Sequence, residues 1–241
     1  AGRRGDEFQA PPPLAHHQVD DGVEVGPVRI GTPGRHHARN AAVAIAVAVA
    51  HGVAVGEAVA GVGAYRGVSR RFEVLGEVDG VTVVDDYAHN PGKIRALLAS
   101  AQEAGWNRVV AVFQPHRYSR TRDQGVEQGL AVALADVVAV TDVYGAGEPA
   151  LAGVSGLTVA RAALEARPGA TVAWTPTLDD ALTWLRATVR PGDLVLTIGA
   201  GDVYLVGPRL VAAGFRPATE RDPERDPEPG PEPGPDGVGP A

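Results

Sequence analysis

Phe113-Gln114-Pro115-His116-Arg117-Tyr118-Ser119-Arg120-Thr121 is the stretch on which the reading of this chain turns. It follows Arg108-Val109-Val110-Ala111-Val112, an apolar run typical of a strand buried on both faces of a parallel sheet. Pro115 has no N–H to give a ladder, so the strand ends there. An imidazole, two guanidiniums, a phenol and hydroxyls then crowd into a few positions. Open α/β sheets bind ligands beyond the carboxyl ends of their strands, which aims these groups at a crevice. Arg117 and Arg120, three apart at a helix start, suit the two oxygens of one carboxylate or phosphate as a fork. A solvated strand-to-helix turn uses the same residue types, so the choice rests on the remainder of the chain.

Working outward, the alternation is regular. Helices are expected over 122–134, 156–166, 178–189 and 202–213, and strands over 137–141, 171–174 and 194–198. Such a series predicts an α/β fold, a mostly parallel sheet with helices on both faces. Upstream, a hairpin joins 74–78 to 81–84 through Asp79-Gly80. Its second strand ends at Asp85-Asp86-Tyr87-Ala88-His89-Asn90-Pro91, and a helix follows over 92–104. Capping explains Pro91 and an acidic neighbour, but not two Asp, a Tyr and a His together. Two further strand ends carry glycine, Tyr144-Gly145-Ala146-Gly147-Glu148 and Gly199-Ala200-Gly201-Asp202; each is either a close approach to a ligand or a tight turn.

Before the hairpin stand Arg70-Arg71-Phe72-Glu73 and a glycine-rich stretch, 61–67, which reads as a hinge. Gly34-Arg35-His36-His37-Ala38-Arg39-Asn40 runs into a helical stretch over 41–51, with Asn40 on its first turn. An amide offers both donor and acceptor and suits an adenine edge, while a helix cap uses it equally well. A short hairpin is expected from 23–25 to 28–30, turned by Gly26-Pro27.

Composition sets the bounds. At 241 residues, with 44% hydrophobic and 5% aromatic content, the core is built from Ala, Val and Leu. The absence of cysteine removes disulfides, thiolate nucleophiles and thiolate metal sites, and fits a cytoplasmic location. The net charge of −7 is concentrated at one end: residues 219–241 hold seven acidic and two basic side chains, so −5 of it lies there and −2 elsewhere. That balance argues against nucleic acid as a partner, and no run is long enough for membrane insertion. The Pro/Gly-rich acidic stretch 219–241 is expected to be a disordered tail. The single lysine, Lys93, precedes Ile94, so the chain has no Gly-x-x-x-x-Gly-Lys-Ser/Thr phosphate loop.

Taken in order, Gly34-x-His36…Asn40, Arg70-Arg71-Phe72-Glu73, Asp85-Asp86-Tyr87-Ala88-His89-x-Pro91, the stretch from Phe113 to Thr121, Asp142-Val143-Tyr144-x-Ala146-Gly147-Glu148 and Gly199-Ala200-Gly201-Asp202 resemble the Mur ligases of peptidoglycan synthesis. The likeness is greatest to the branch that joins L-alanine to UDP-N-acetylmuramate. It implies an ATP-dependent ligase working through an acyl-phosphate. Residues 1–66 would be the incomplete end of a central ATP-binding domain. Residues 67–218 would be the Rossmann-like C-terminal domain. The chain by itself would be an inactive piece, with most ligands for Mg²⁺ in a part not present and no metal site of its own.

The resemblance also implies roles. Tyr87, His89, His116, Arg117 and Arg120 would hold L-alanine, the last three on its carboxylate, and His89 or His116 would receive a proton from its ammonium. His36, Asn40, Arg71, Asp85 and Asp86 would bind the nucleotide, with Arg71 reaching the ATP phosphates. Arg71 and His89 are the catalytic candidates. Two departures from the family pattern are His37, where an Asn is usual, and Asn90, where a second His is usual. Alternatives are a murein-peptide recycling ligase and a non-catalytic α/β module that binds a nucleotide or phosphate.

Overall fold

The structure is a computed structural model that describes residues 15–20, 23–31, 34–65 and 67–215. Strands β1 (Ala15–Asp20) and β2 (Val23–Arg29) pair antiparallel. The hairpin expected within 23–30 is therefore wrong: Gly26 and Pro27 lie inside β2, opposite Gln18 and His17. Proline is tolerated there because a two-stranded ribbon has only edge strands. Helices α1 (Arg35–Ala50) and α2 (Val55–Ala64) follow. They close a small core on β2, with Val28, Ile30, Ile45 and Ala58 at its centre. Gly61 and Gly63 sit inside α2, so the expected hinge is largely helix; Ala58, Val59 and Val62 supply the apolar side that holds it. Helix α1 begins six residues before 41, which puts Asn40 on its second turn rather than its first.

The larger body is one six-stranded sheet. Strands β3 (Glu73–Val78) and β4 (Val81–Asp86) form the expected hairpin, and Asp79 and Gly80 both have positive φ (55° and 74°), the signature of a type I′ turn. Then come α3 (Pro91–Glu103), β5 (Arg108–Phe113), α4 (Tyr118–Val132), β6 (Val137–Val140), α5 (Gly156–Ala166), β7 (Thr171–Trp174), α6 (Leu178–Thr188), β8 (Asp193–Ile198), a 3₁₀ turn (Asp202–Leu205) and α7 (Val206–Ala213). Strand order is β3-β4-β8-β5-β6-β7, parallel apart from β3. The α/β expectation holds.

The order of the strands sorts the helices. From β4 to β5, β6 and β7 the chain moves one way across the sheet, and right-handed crossovers put α3, α4 and α5 on one face. The return from β7 to β8 places α6 on the other, and α7, which follows β8, packs there as well. Alternate strand residues then feed two cores. Val109, Ala111, Phe113, Leu194, Leu196 and Ile198 pack with α3, α4 and α5. Val110, Val112 and Val195 pack with α6 and α7. The chain leaves β8 toward one face of the sheet and leaves its neighbours β4 and β5 toward the other, so a crevice opens at the carboxyl ends of β4, β8 and β5. Proposals about the tail at 219–241 concern residues outside those described.

Candidate functional site

Asp86, the last residue of β4, is buried and ties the lip together. Its Oδ2 accepts from the Phe72 N–H (2.9 Å) and its Oδ1 from the Ala88 N–H (2.8 Å). Burial raises its pKa in spite of these bonds and of the nearby Arg71 charge. Asn90 then caps α3 by accepting from the Lys93 N–H (3.0 Å), with Pro91 in the first turn.

The neighbouring arginines do different things. Arg70, at φ 60°, donates Nε to Asp85 (3.0 Å) and Nη2 to the Gly199 carbonyl (2.7 Å), and its guanidinium lies against the rings of Tyr87 (5.0 Å) and Tyr204 (4.7 Å). Asp85, 2% exposed, also accepts from the Thr197 hydroxyl. Its carboxylate is spent on joining strands, so Asp85 is withdrawn from the nucleotide-binding set. Arg71 is half-buried, lies 5.6 Å from the Tyr87 ring and makes no ion pair among the described residues.

The glycines of the β8 end answer a packing demand. A Cβ on Gly199 would stand 2.9 Å from the Gln114 carbonyl oxygen; on Gly201 it would stand 2.3 Å from Gln114 Oε1 and 2.6 Å from the Tyr144 ring. Buried Gln114 donates to Asp202 (2.6 Å) and accepts from the Val203 N–H (3.0 Å), locking the ends of β5 and β8 together. Of the two readings left open for Gly199-Ala200-Gly201, the tight turn is the one the contacts fit.

The His–Arg stretch starts α4 four residues earlier than the expected 122. Arg117 is the N-cap, at φ 72°, and its side chain gives no cap bond. The cap comes from elsewhere: Glu148 accepts from the Ser119 N–H (2.9 Å) and hydroxyl (2.7 Å). A type I′ turn delivers it, with Ala146 and Gly147 at positive φ and Glu148 N–H bonded to the Gly145 carbonyl. Arg117, with its side chain 52% exposed, faces Glu148 at 4.0 Å. Arg120 folds the other way, onto the His116 ring nitrogen (3.4 Å) and carbonyl (3.3 Å), and has no carboxylate partner among the described residues. The expected parallel fork is thus not formed: the two guanidiniums point to different partners.

The imidazoles do converge. His89 lies 5.3 Å from the Tyr87 ring and 6.3 Å from the His116 ring, and His116 stacks on Tyr144 at 5.6 Å. His89 Nδ1 stands 3.0 Å from the Tyr87 carbonyl oxygen, which only accepts, so the neutral ring carries its proton on Nδ1 and leaves Nε2 with a lone pair. Burial lowers the pKa of both rings, and Arg120 lowers both further. Two neutral imidazoles beside an unneutralised guanidinium make a site that favours an anion and can receive a proton.

A second feature adjoins it. A cleft of about 830 Å³ runs between α1, α2 and α3, with apolar walls from Ile30, Val62 and Leu97 and polar groups from His37, Asn40, Arg71 and Lys93. Asn40 and Arg71 of the expected nucleotide set line it, as does Asp86. His36 falls within α1, but its side chain lies outside what is described. His37, Tyr65 and Lys93 are additions. His37 stands beside the chosen histidine and differs only in helical phase, which its neighbours did not reveal. The described residues contain no group of three or more His, Asp or Glu able to hold a metal ion, and both Asp86 oxygens are taken by backbone N–H groups, so no Mg²⁺ ligand is assigned. No described helix is long and apolar enough to cross a membrane.

Residues 70–201 match the family described as Mur ligase, glutamate ligase domain. A UDP-N-acetylmuramate–L-alanine ligase of Pelotomaculum thermopropionicum is 43% identical over 187 residues, covering 78% of this chain and 40% of the relative. One from Mycobacterium sp. (strain JLS) is 41% identical over 213 residues, covering 87% and 43%. The crystal structure of the UDP-N-acetylmuramate-alanine ligase MurC of Thermotoga maritima superposes with a TM-score of 0.66 at 28% identity, covering 79% of this chain and 40% of that one. A murein peptide ligase from Psychrobacter arcticus gives 0.58 at 27%, covering 78% and 38%. The chain therefore spans about 40% of the length of these relatives. With more than half of its residues inside the family match, and with the fold and the strand-end clusters described above, this chain belongs to the Mur ligase family.

Proposed function

We propose that this chain supplies the amino-acid site, and one wall of the nucleotide cleft, of an ATP-dependent ligase that joins L-alanine to UDP-N-acetylmuramate. The observation that carries the reading is the convergence of His89, His116 and Arg120, which has no carboxylate partner among the described residues, at the lip of the sheet. In this reading residues 67–215 are the amino-acid-binding domain and residues 34–65 belong to the nucleotide side.

The chemistry follows from the residues. Arg120 and His116 take the carboxylate of alanine, and Arg117 joins them by turning from Glu148. A charge-assisted hydrogen bond of this kind contributes roughly 1.5–3 kcal/mol. The ammonium then faces His89, whose Nε2 lone pair accepts a proton as the amine nitrogen attacks the acyl-phosphate carbon. The C–N bond forms, the C–O bond to phosphate breaks, and the departing phosphate carries away the second proton that the nitrogen loses in becoming an amide. Arg71 and Asn40 hold the nucleotide from the cleft, Arg71 on the phosphate side, where a cation offsets charge developing in phosphoryl transfer. The chain has no glycine-rich phosphate loop, so the transfer itself needs residues beyond these.

The test is a titration followed by NMR of the imidazole signals. L-alanine should shift His89 and His116, whereas L-alaninamide, which lacks the carboxylate, should not. Equal shifts from both compounds refute the carboxylate assignment. A response to a murein tripeptide but not to L-alanine makes the chain a recycling ligase instead.

A further inference from the structure

We propose that Lys93 is a phosphate-binding residue of the nucleotide cleft, standing where that cleft meets the His89–His116 cluster. This rests on the nucleotide reading of the cleft and adds a contact outside the residues already assigned. Lys93 is the only lysine in the chain, so its ammonium is the one flexible point charge available. Its backbone N–H is already used by the Asn90 cap, which leaves the side chain as the group α3 presents to the cleft.

The charge balance of the lining favours an anion. Arg71 and Lys93 are its two permanent cations, and neither forms an ion pair among the described residues. Asp86 is the one carboxylate in the lining and both its oxygens already accept backbone N–H bonds, so two cations face one occupied carboxylate and positive charge is in excess even with Asp86 ionised. The remainder of the lining is largely apolar, with Asn40 and His37 on α1. A ligand that fits has a flat, weakly polar ring at one end and several negative charges at the other. That is a nucleoside di- or triphosphate. Position adds a second argument: Lys93 and Arg71 both lower the pKa of His89, so their charges lie near the site of amine attack. The phosphate end of the nucleotide is thereby directed toward the amino-acid cluster.

A chain with one lysine gives a direct test. The protein is treated with an amine-acylating reagent with and without ADP, and modification of Lys93 is followed by peptide mass spectrometry, with a free lysine peptide added as internal reference. ADP should slow acylation of Lys93 several-fold and leave the reference peptide unchanged, while adenosine should protect little. Lys93→Gln should weaken ADP binding about tenfold, as expected for a partly solvated cation–phosphate contact, and Lys93→Arg should restore it. Lys93 is exposed, so both variants should fold. An unprotected Lys93, unchanged ADP affinity in Lys93→Gln, equal protection by adenosine, or a chain that does not bind ADP each overturns the assignment. Absence of ADP binding by the unaltered chain tells against the nucleotide reading as a whole, whereas ADP binding with Lys93 unprotected, or unchanged in Lys93→Gln, overturns the Lys93 contact alone.

Discussion

Replacing Arg70 with alanine should cost this protein about 4 kcal/mol, whereas the same change at the adjacent Arg71 should cost less than about 1. Arg70→Ala leaves the Asp85 carboxylate 2% exposed with only the Thr197 hydroxyl as partner. Removing one member of a buried ion pair costs roughly 3–5 kcal/mol, and because Arg70 is itself 23% exposed the lower part of that range applies. The Gly199 carbonyl also loses its 2.7 Å donor. Contacts with the Tyr87 and Tyr204 rings add about 0.5–1 kcal/mol each at such partly open sites. The backbone penalty at φ 60° is common to arginine and alanine, so it cancels. For a folded body of this size each kcal/mol moves the melting temperature by about 2–4 °C, which gives a fall of roughly 8–16 °C. Urea and thermal unfolding of both variants measure it, and an Asp85→Ala variant in each background closes a double-mutant cycle with coupling above about 1 kcal/mol. Equal melting temperatures for the Arg70 and Arg71 variants, or additivity with Asp85, refute the division of labour between the two arginines.

Other outcomes follow from single features. In alanine titrations Arg120→Gln should abolish the His116 response, while Arg117→Gln should only weaken it, because Arg117 begins on Glu148; the reverse order contradicts the site described. Gly129→Ala should destabilise by about 2 kcal/mol, since its Cβ would lie 2.5 Å from Ala162 Cβ and 2.7 Å from the Val159 carbonyl on α5. Gly61→Ala, in α2 with nothing within 4 Å, should instead stabilise by up to about 1 kcal/mol in urea unfolding. His89 and His116 have folded pKa values below the ordinary histidine value, so the unfolded chain binds protons first as pH falls. Their contribution is complete above the unfolded pKa of about 6.5 and is lost as pH drops through the folded values. Melting temperature should therefore fall on acidification below neutrality, and a His89→Gln, His116→Gln double variant should fall less steeply.

Strands β5 and β8 were legible because burial on both faces writes an unbroken apolar run, and the Asp79-Gly80 turn because its dihedral signature selects those residues. The start of α4 was not, since its cap is Glu148, twenty-nine positions away in sequence and brought near only by the sheet. For the same reason nothing local separates Arg70 from Arg71: the difference lies in Asp85 at the end of β4 and Gly199 just after β8. The fork expected of Arg117 and Arg120 failed because spacing fixes where side chains begin, not which counter-charge captures them. Gly61–Ala64 was misread as a hinge because glycine weakens a helix by about 1 kcal/mol without forbidding it.

Strand β8 is the last strand among the described residues, yet it occupies the middle of the sheet, between β4 and β5. At about 5–20 residues per second a ribosome releases β4 and β5 many seconds before the strand that must lie between them. Until then both present unpaired edges to each other and to any neighbouring chain. The crevice that gathers Asp86, Gln114 and Gly199 comes into being only with that final insertion, so the ligand-binding end is the youngest part of the molecule each time it is made.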